Sequence, residues 1–184
     1  MNTTHKLSDL IKLVNNIYTY DDYIPSEEAL SKVDIRDIVH YLRISHKYYI
    51  EEALTTLEAS IRSVLAPCDQ ALSGVILSFF STFRDEMQRH FEYEEQHVFP
   101  YAKALLEGTP SEPAAIEEDD HTNIEEKIGD LKNIAMKYLP PECDPGETIA
   151  LMKQLFYLSD DLRKHTAIED RILLPMLRRL ERNE

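Results

Sequence analysis

His90-Phe91-Glu92-Tyr93-Glu94-Glu95-Gln96-His97-Val98-Phe99-Pro100 is the segment on which the interpretation of this chain turns. It returns near the end of the chain as His165-Thr166-Ala167-Ile168-Glu169-Asp170-Arg171-Ile172-Leu173-Leu174-Pro175. Each copy sets a Glu four residues after a His, follows that Glu with a second acid, and closes with two apolar residues and a proline. On a helix, residues four apart lie one above the other on the same face, so each copy aims an imidazole and a carboxylate at a common point. That donor pair suits a transition metal better than calcium or magnesium, which prefer all-oxygen surroundings. Two such helices facing each other would supply two His and two Glu, the beginning of a two-metal site.

The composition around these two copies favours helices. The chain has 184 residues with only four Gly and no Trp, long runs lack both Gly and Pro, and the length is enough for one domain with a real core. A formal net charge of −14 disfavours nucleic acid and anionic membranes as partners. No segment has the basic start and apolar centre of a signal peptide, and no apolar run is long enough to span a bilayer. Two cysteines, Cys68 and Cys143, are too few for a disulfide framework, so the expected compartment is a reducing cytoplasm.

Punctuation then divides the chain. Residues 1–33 read as an N-terminal extension, with Leu7, Leu10, Ile11 and Val14 at helical spacing. Residues 34–184 read as the main domain. Its first long helix is capped by Asp34 and stopped by Pro67; the second is capped by Asp69 and ends at Gly108-Thr-Pro-Ser-Glu-Pro113, with Pro100 bending it or ending its regular part. A third runs from about Pro113 to Leu139, before the break at Pro140-Pro141. Asp144-Pro145-Gly146-Glu147 opens the fourth as N-cap, first-turn proline and acid, and that helix runs to about Arg179. Four long helices with short connections predict an all-α, antiparallel up-down-up-down four-helix bundle with a short N-terminal helical extension.

The spacings place four histidines at one depth. His46 lies about 20 residues before Pro67, His90 about 21 after Asp69, His121 about 19 before Pro140 and His165 about 20 after Pro145. At about 1.5 Å per residue, all four come out roughly 30 Å from the end of the bundle carrying the first and third connections. His46, His90, His121 and His165 are therefore candidate metal ligands, with Glu94 and Glu169 one turn away. Glu125 stands four residues after His121 and either joins the ligands or sits behind them. His97, His40 and His5 read as flanking, structural or exposed. Tyr49 and Tyr93 read as core residues near the ligands. Cys68 and Cys143 fall in loops at the same end, where a redox-linked disulfide is conceivable.

These residues carry a resemblance. Ser45-His46-Lys-Tyr-Tyr, the His90 to Pro100 stretch, Asp120-His121-Thr-Asn-Ile-Glu125-Glu and Lys164-His165-Thr-Ala-Ile-Glu169-Asp-Arg-Ile-Leu-Leu-Pro175 resemble hemerythrin-like (HHE cation-binding) domains over about residues 35–180. Closest in style are the bacterial repair-of-iron-centres di-iron proteins. The resemblance implies two Fe ions with a bridging oxo or hydroxo group, terminal His ligands, and Glu94 and Glu169 as bridges; manganese or zinc suits the same donors. Oxygen-carrying members have a second His where this chain has Glu125, and an Asp where it has Glu169. That difference leans away from reversible oxygen carriage and toward the repair-type site. Repair proteins usually carry an N-terminal cysteine pair, whereas residues 1–33 contain no cysteine.

The function expected is a di-iron protein that reacts with or senses O2, NO or peroxide, in nitrosative or oxidative stress response or iron-sulfur cluster repair. The alternative is an oxygen or redox sensor acting through a protein partner. No Ser/His/Asp triad, phosphate loop or other hydrolase or transferase motif competes. A ferritin-like oxidase fits poorly, because its Glu-x-x-His order is the reverse of the order here.

Overall fold

A computed structural model describes the backbone of residues 3–109 and 118–182 and the side chains of residues 8–109 and 124–182. Every regular element among these residues is helical. Helices α1 (Thr3–Thr19) and α2 (Glu27–Ser31) precede α3 (Ile35–Tyr48) and α4 (Leu54–Val64). Then come α5 (Gln70–Tyr93), α6 (Phe99–Glu107), α7 (Glu118–Tyr138), α8 (Pro145–Ile168) and α9 (Leu174–Glu181).

The starts are set by short polar side chains that accept the free N–H groups of a first helical turn. Ser26 Oγ accepts from Ala29 N at 3.2 Å, Asp34 Oδ1 from Arg36 N at 3.0 Å, Asp69 Oδ1 from Leu72 N at 2.8 Å and Asp144 Oδ1 from Glu147 N at 2.8 Å. Asp34, Asp69 and Asp144 are the expected caps. Gly108 closes α6 in the left-handed conformation at φ 64°, which a residue without Cβ adopts freely. The expected start of the third helix, near Pro113, lies outside the described residues.

Three of the expected long helices are not uniform. The first is interrupted by a π-helical turn at Tyr49–Ala53, the second by one at Glu94–Val98 and the fourth by one at Glu169–Leu173. In each, the first carbonyl accepts from the N–H five residues on: Leu54 to Tyr49, Phe99 to Glu94, Leu174 to Glu169. A periodicity of 3.6 residues per turn does not foresee this extra residue. One signal was present, however. Pro100 and Pro175 each follow a π turn and sit in the first turn of the next α-helix, where a missing N–H is harmless.

Buried apolar residues form two clusters, each within one compact unit of the chain. One joins Leu54, Leu57 and Ile61 of α4, Phe80, Phe83 and Met87 of α5, Ile128 and Leu131 of α7 and Leu155 of α8. Fully burying such a side chain stabilises the fold by about 1.5–3 kcal/mol. The other joins Leu10, Leu13 and Ile17 of α1, Ile38 and Leu42 of α3, Val98, Phe99, and Ile168 to Leu177 around α9. The N-terminal residues, expected as an extension, thus help build this core. They are also clasped electrostatically. Lys164, almost fully buried, bonds Asp21 and donates to the Ile17 carbonyl at 3.2 Å. Arg163 reaches the same carboxylate at 3.2 Å, and Arg171 donates to the Asp21 carbonyl at 2.6 Å.

Candidate metal centre

The candidate ligand positions follow where the π turns fall. Glu94 and Glu169 are each the first residue of one, and His46 stands three residues before the third. An extra residue in a turn rotates the helix beyond it, so that both a carboxylate and the apolar residues after it face inward. Glu94 and Phe99, five apart, are both buried, as are Tyr49 and Leu54. Single π turns of this kind recur at functional sites.

His46, Glu94, His165 and Glu169 are 5%, 1%, 3% and 0% exposed, and each offers a donor atom within 4.8 Å of the others'. His165 Nε2 lies 3.0 Å from Glu169 Oε1. Metal–ligand bonds of about 2.0–2.2 Å put opposite donors of one ion roughly 4.3 Å apart, so this spread matches the surroundings of a single ion. The donor set fits: two imidazole nitrogens and two carboxylates suit iron, manganese or zinc. A cation among them also offsets the charge of two carboxylates withdrawn from water, which is otherwise expensive.

The imidazole of His46 is held by an aromatic stack. Its ring lies 4.1 Å from that of Phe91 at 15°, and the Tyr49 ring lies 5.8 Å from Phe91. Tyr49 is buried and its hydroxyl donates to Asp161 Oδ2 at 2.8 Å, so its polar end is satisfied within the core as expected of a structural tyrosine. Tyr93 is half-buried and packs on the exposed His97 ring at 4.8 Å. His40 is exposed too.

Of the other expected ligands, His90 is buried one turn before Glu94 but is not among the four converging donors. The side chains of His121 and His5 lie outside the described residues. Glu125 is exposed and is not among the four converging donors. Ile124, Ile128, Leu131 and Ala135 take the buried face of α7, and Glu125, one residue past Ile124, is turned about 100° from it.

Comparison with known proteins gives the family. The sequence profile of the Hemerythrin HHE cation binding domain matches residues 37–177. The chain belongs to that family. Its metal-binding character is therefore a family property as well as a local one. Among curated relatives, the iron-sulfur cluster repair proteins YtfE of Salmonella paratyphi B (strain ATCC BAA-1250 / SPB7), Salmonella newport (strain SL254) and Salmonella heidelberg (strain SL476) are each 22% identical over 154 residues. The match covers 82% of this chain and 70% of each relative. No solved structure is a significant match. Among the described residues no helix is long and apolar enough to cross a membrane.

Proposed function

We propose that this HHE-domain chain is a non-haem di-iron protein that meets O2, NO or peroxide in stress response or iron-sulfur cluster repair. The observation that carries the metal-binding part of the reading is the convergence of buried His46, Glu94, His165 and Glu169; the second iron rests on the likeness to hemerythrin-like domains. Membership of a cation-binding family and likeness to relatives named for iron-sulfur cluster repair support it. In this reading the helices form an antiparallel up-down-up-down bundle. His46, His90, His121 and His165, together with Glu94 and Glu169, would hold the iron.

When bound, iron supplies one-electron redox chemistry and coordination positions for a diatomic ligand or peroxide. The chain's residues do the rest. Phe91 stacks on the His46 ring and so limits its rotation. Glu94 and Glu169 are almost fully withdrawn from water, which strengthens their hold on a cation.

Metal analysis joined to optical spectroscopy tests this. Protein produced with iron should hold about two irons per chain and show ferric charge-transfer absorption in the near ultraviolet. That absorption should change on reduction and on exposure to nitric oxide. A folded protein that takes up no iron, or whose spectrum ignores both treatments, would refute the reading.

A further inference from the structure

The chain's two cysteines are 75 residues apart in sequence, yet their Sγ atoms lie 3.6 Å from each other. Their settings are alike. Cys68 directly precedes Asp69, the cap of α5, and Cys143 directly precedes Asp144, the cap of α8. Each is tied into a tight turn by its own N–H, Cys68 to the Leu65 carbonyl at 2.9 Å and Cys143 to the Pro140 carbonyl at 3.1 Å. Cys143 is buried in the α4–α5–α7–α8 core, while Cys68 is half-buried at its edge. The same two segments are joined a second time by Ser63 Oγ, which donates to Glu147 Oε1 at 3.0 Å. The approach of the sulfurs is thus built into packing on both sides.

We propose that Cys68 and Cys143 form a dithiol that hydrogen peroxide closes to an intramolecular disulfide, a modification site apart from the metal centre. An S–S bond is about 2.05 Å long, so the sulfurs need to approach by roughly 1.5 Å, within reach of side-chain rotation. Cys68, the more accessible, reacts first. Its thiolate attacks one oxygen of hydrogen peroxide, an S–O bond forms, the O–O bond breaks, and hydroxide leaves as water with the thiol's proton. The Cys143 sulfur then attacks the sulfenic sulfur; the S–S bond forms, the S–O bond breaks and a second water leaves. Two thiols are oxidised to one disulfide while one peroxide is reduced to two waters. Burial, the hydrogen bond with Cys143 and the nearby Asp69 and Glu142 push the Cys68 thiol up to about 11. At neutral pH little of Cys68 is thiolate, so the first step is slow.

The test uses the full chain. With only two cysteines, an intramolecular disulfide has a single connectivity. Excess hydrogen peroxide should give a monomer about 2 Da lighter with no alkylatable thiol. The loss should reverse with dithiothreitol, and a peptide map should join residues 68 and 143. The oxidised chain should unfold at higher urea than the reduced one, because the bridge closes a long loop. Cys68→Ser and Cys143→Ser should each abolish the mass loss and the gain in urea resistance. The wild-type map decides the matter even if a variant folds poorly. A folded monomer that retains both thiols, climbs to sulfinic acid on one cysteine, or yields only intermolecular dimers would overturn the proposal.

Discussion

At the scale of single residues, the question is which of several nearby acids matter. Glu94 and Glu95 are adjacent, yet Glu94 is buried among the donors, while Glu95 bonds the Arg43 guanidinium at 2.8 Å. Glu94→Ala or Glu169→Ala should weaken iron binding by more than about 100-fold, beyond the 10–100-fold typical of groups that only support a ligand. Glu125→Ala, at an exposed position, should leave iron content at wild-type level. Equal loss from all three would show that α7 turns differently when metal is bound. The aromatic stack makes a companion expectation. Phe91→Leu should broaden the environment of the His46 ring, measurable as a weaker affinity of roughly 10-fold with little change in helix content.

Among the elements, the helix starts and the π turns behave differently. The Asp69 and Asp144 caps are local, and replacing either with Ala should lower stability by about 1 kcal/mol in urea titration. Pro100→Ala should change stability by less than about 1 kcal/mol, since that proline sits where no N–H is needed. The segment after α1 answers to charge instead. The hydrogen bond from Lys164, then that from Arg163, hold the Asp21 carboxyl below its ordinary value. A carboxyl lowered in the folded state stabilises above its ordinary pKa and loses that contribution as pH falls through the lowered one. Below about pH 4, proteolysis within residues 17–23 should therefore accelerate. Asp21→Asn should show the faster cleavage already at pH 7 and little further change on acidification. An Asp21→Asn chain as resistant as wild type at neutral pH would show the clasp to be decorative.

For the whole molecule, metal and stability are linked. Iron that binds the folded chain alone should stabilise it by about 2.7 kcal/mol at a hundredfold excess over Kd. For a chain of this size that corresponds to a rise in Tm of roughly 5–10 °C, reversed by a chelator. The shift should vanish in Glu94→Ala. Much of this protein was legible one residue at a time. Asp34, Asp69 and Asp144 announce helices because capping is satisfied within a few residues, and Gly108 ends one for an equally local reason. The repeated His-x3-Glu pattern singles out Glu94 and Glu169, both of which are buried, because four residues on a helix is a fixed geometry. The remaining features were settled by packing in three dimensions. The π turns, the outward face of Glu125, the packing of Leu10 to Ile17 against α3, and the meeting of Cys68 with Cys143 all depend on which distant surfaces compete for burial. Spacing along the chain does not encode that competition, because its outcome is set by packing between segments far apart in sequence.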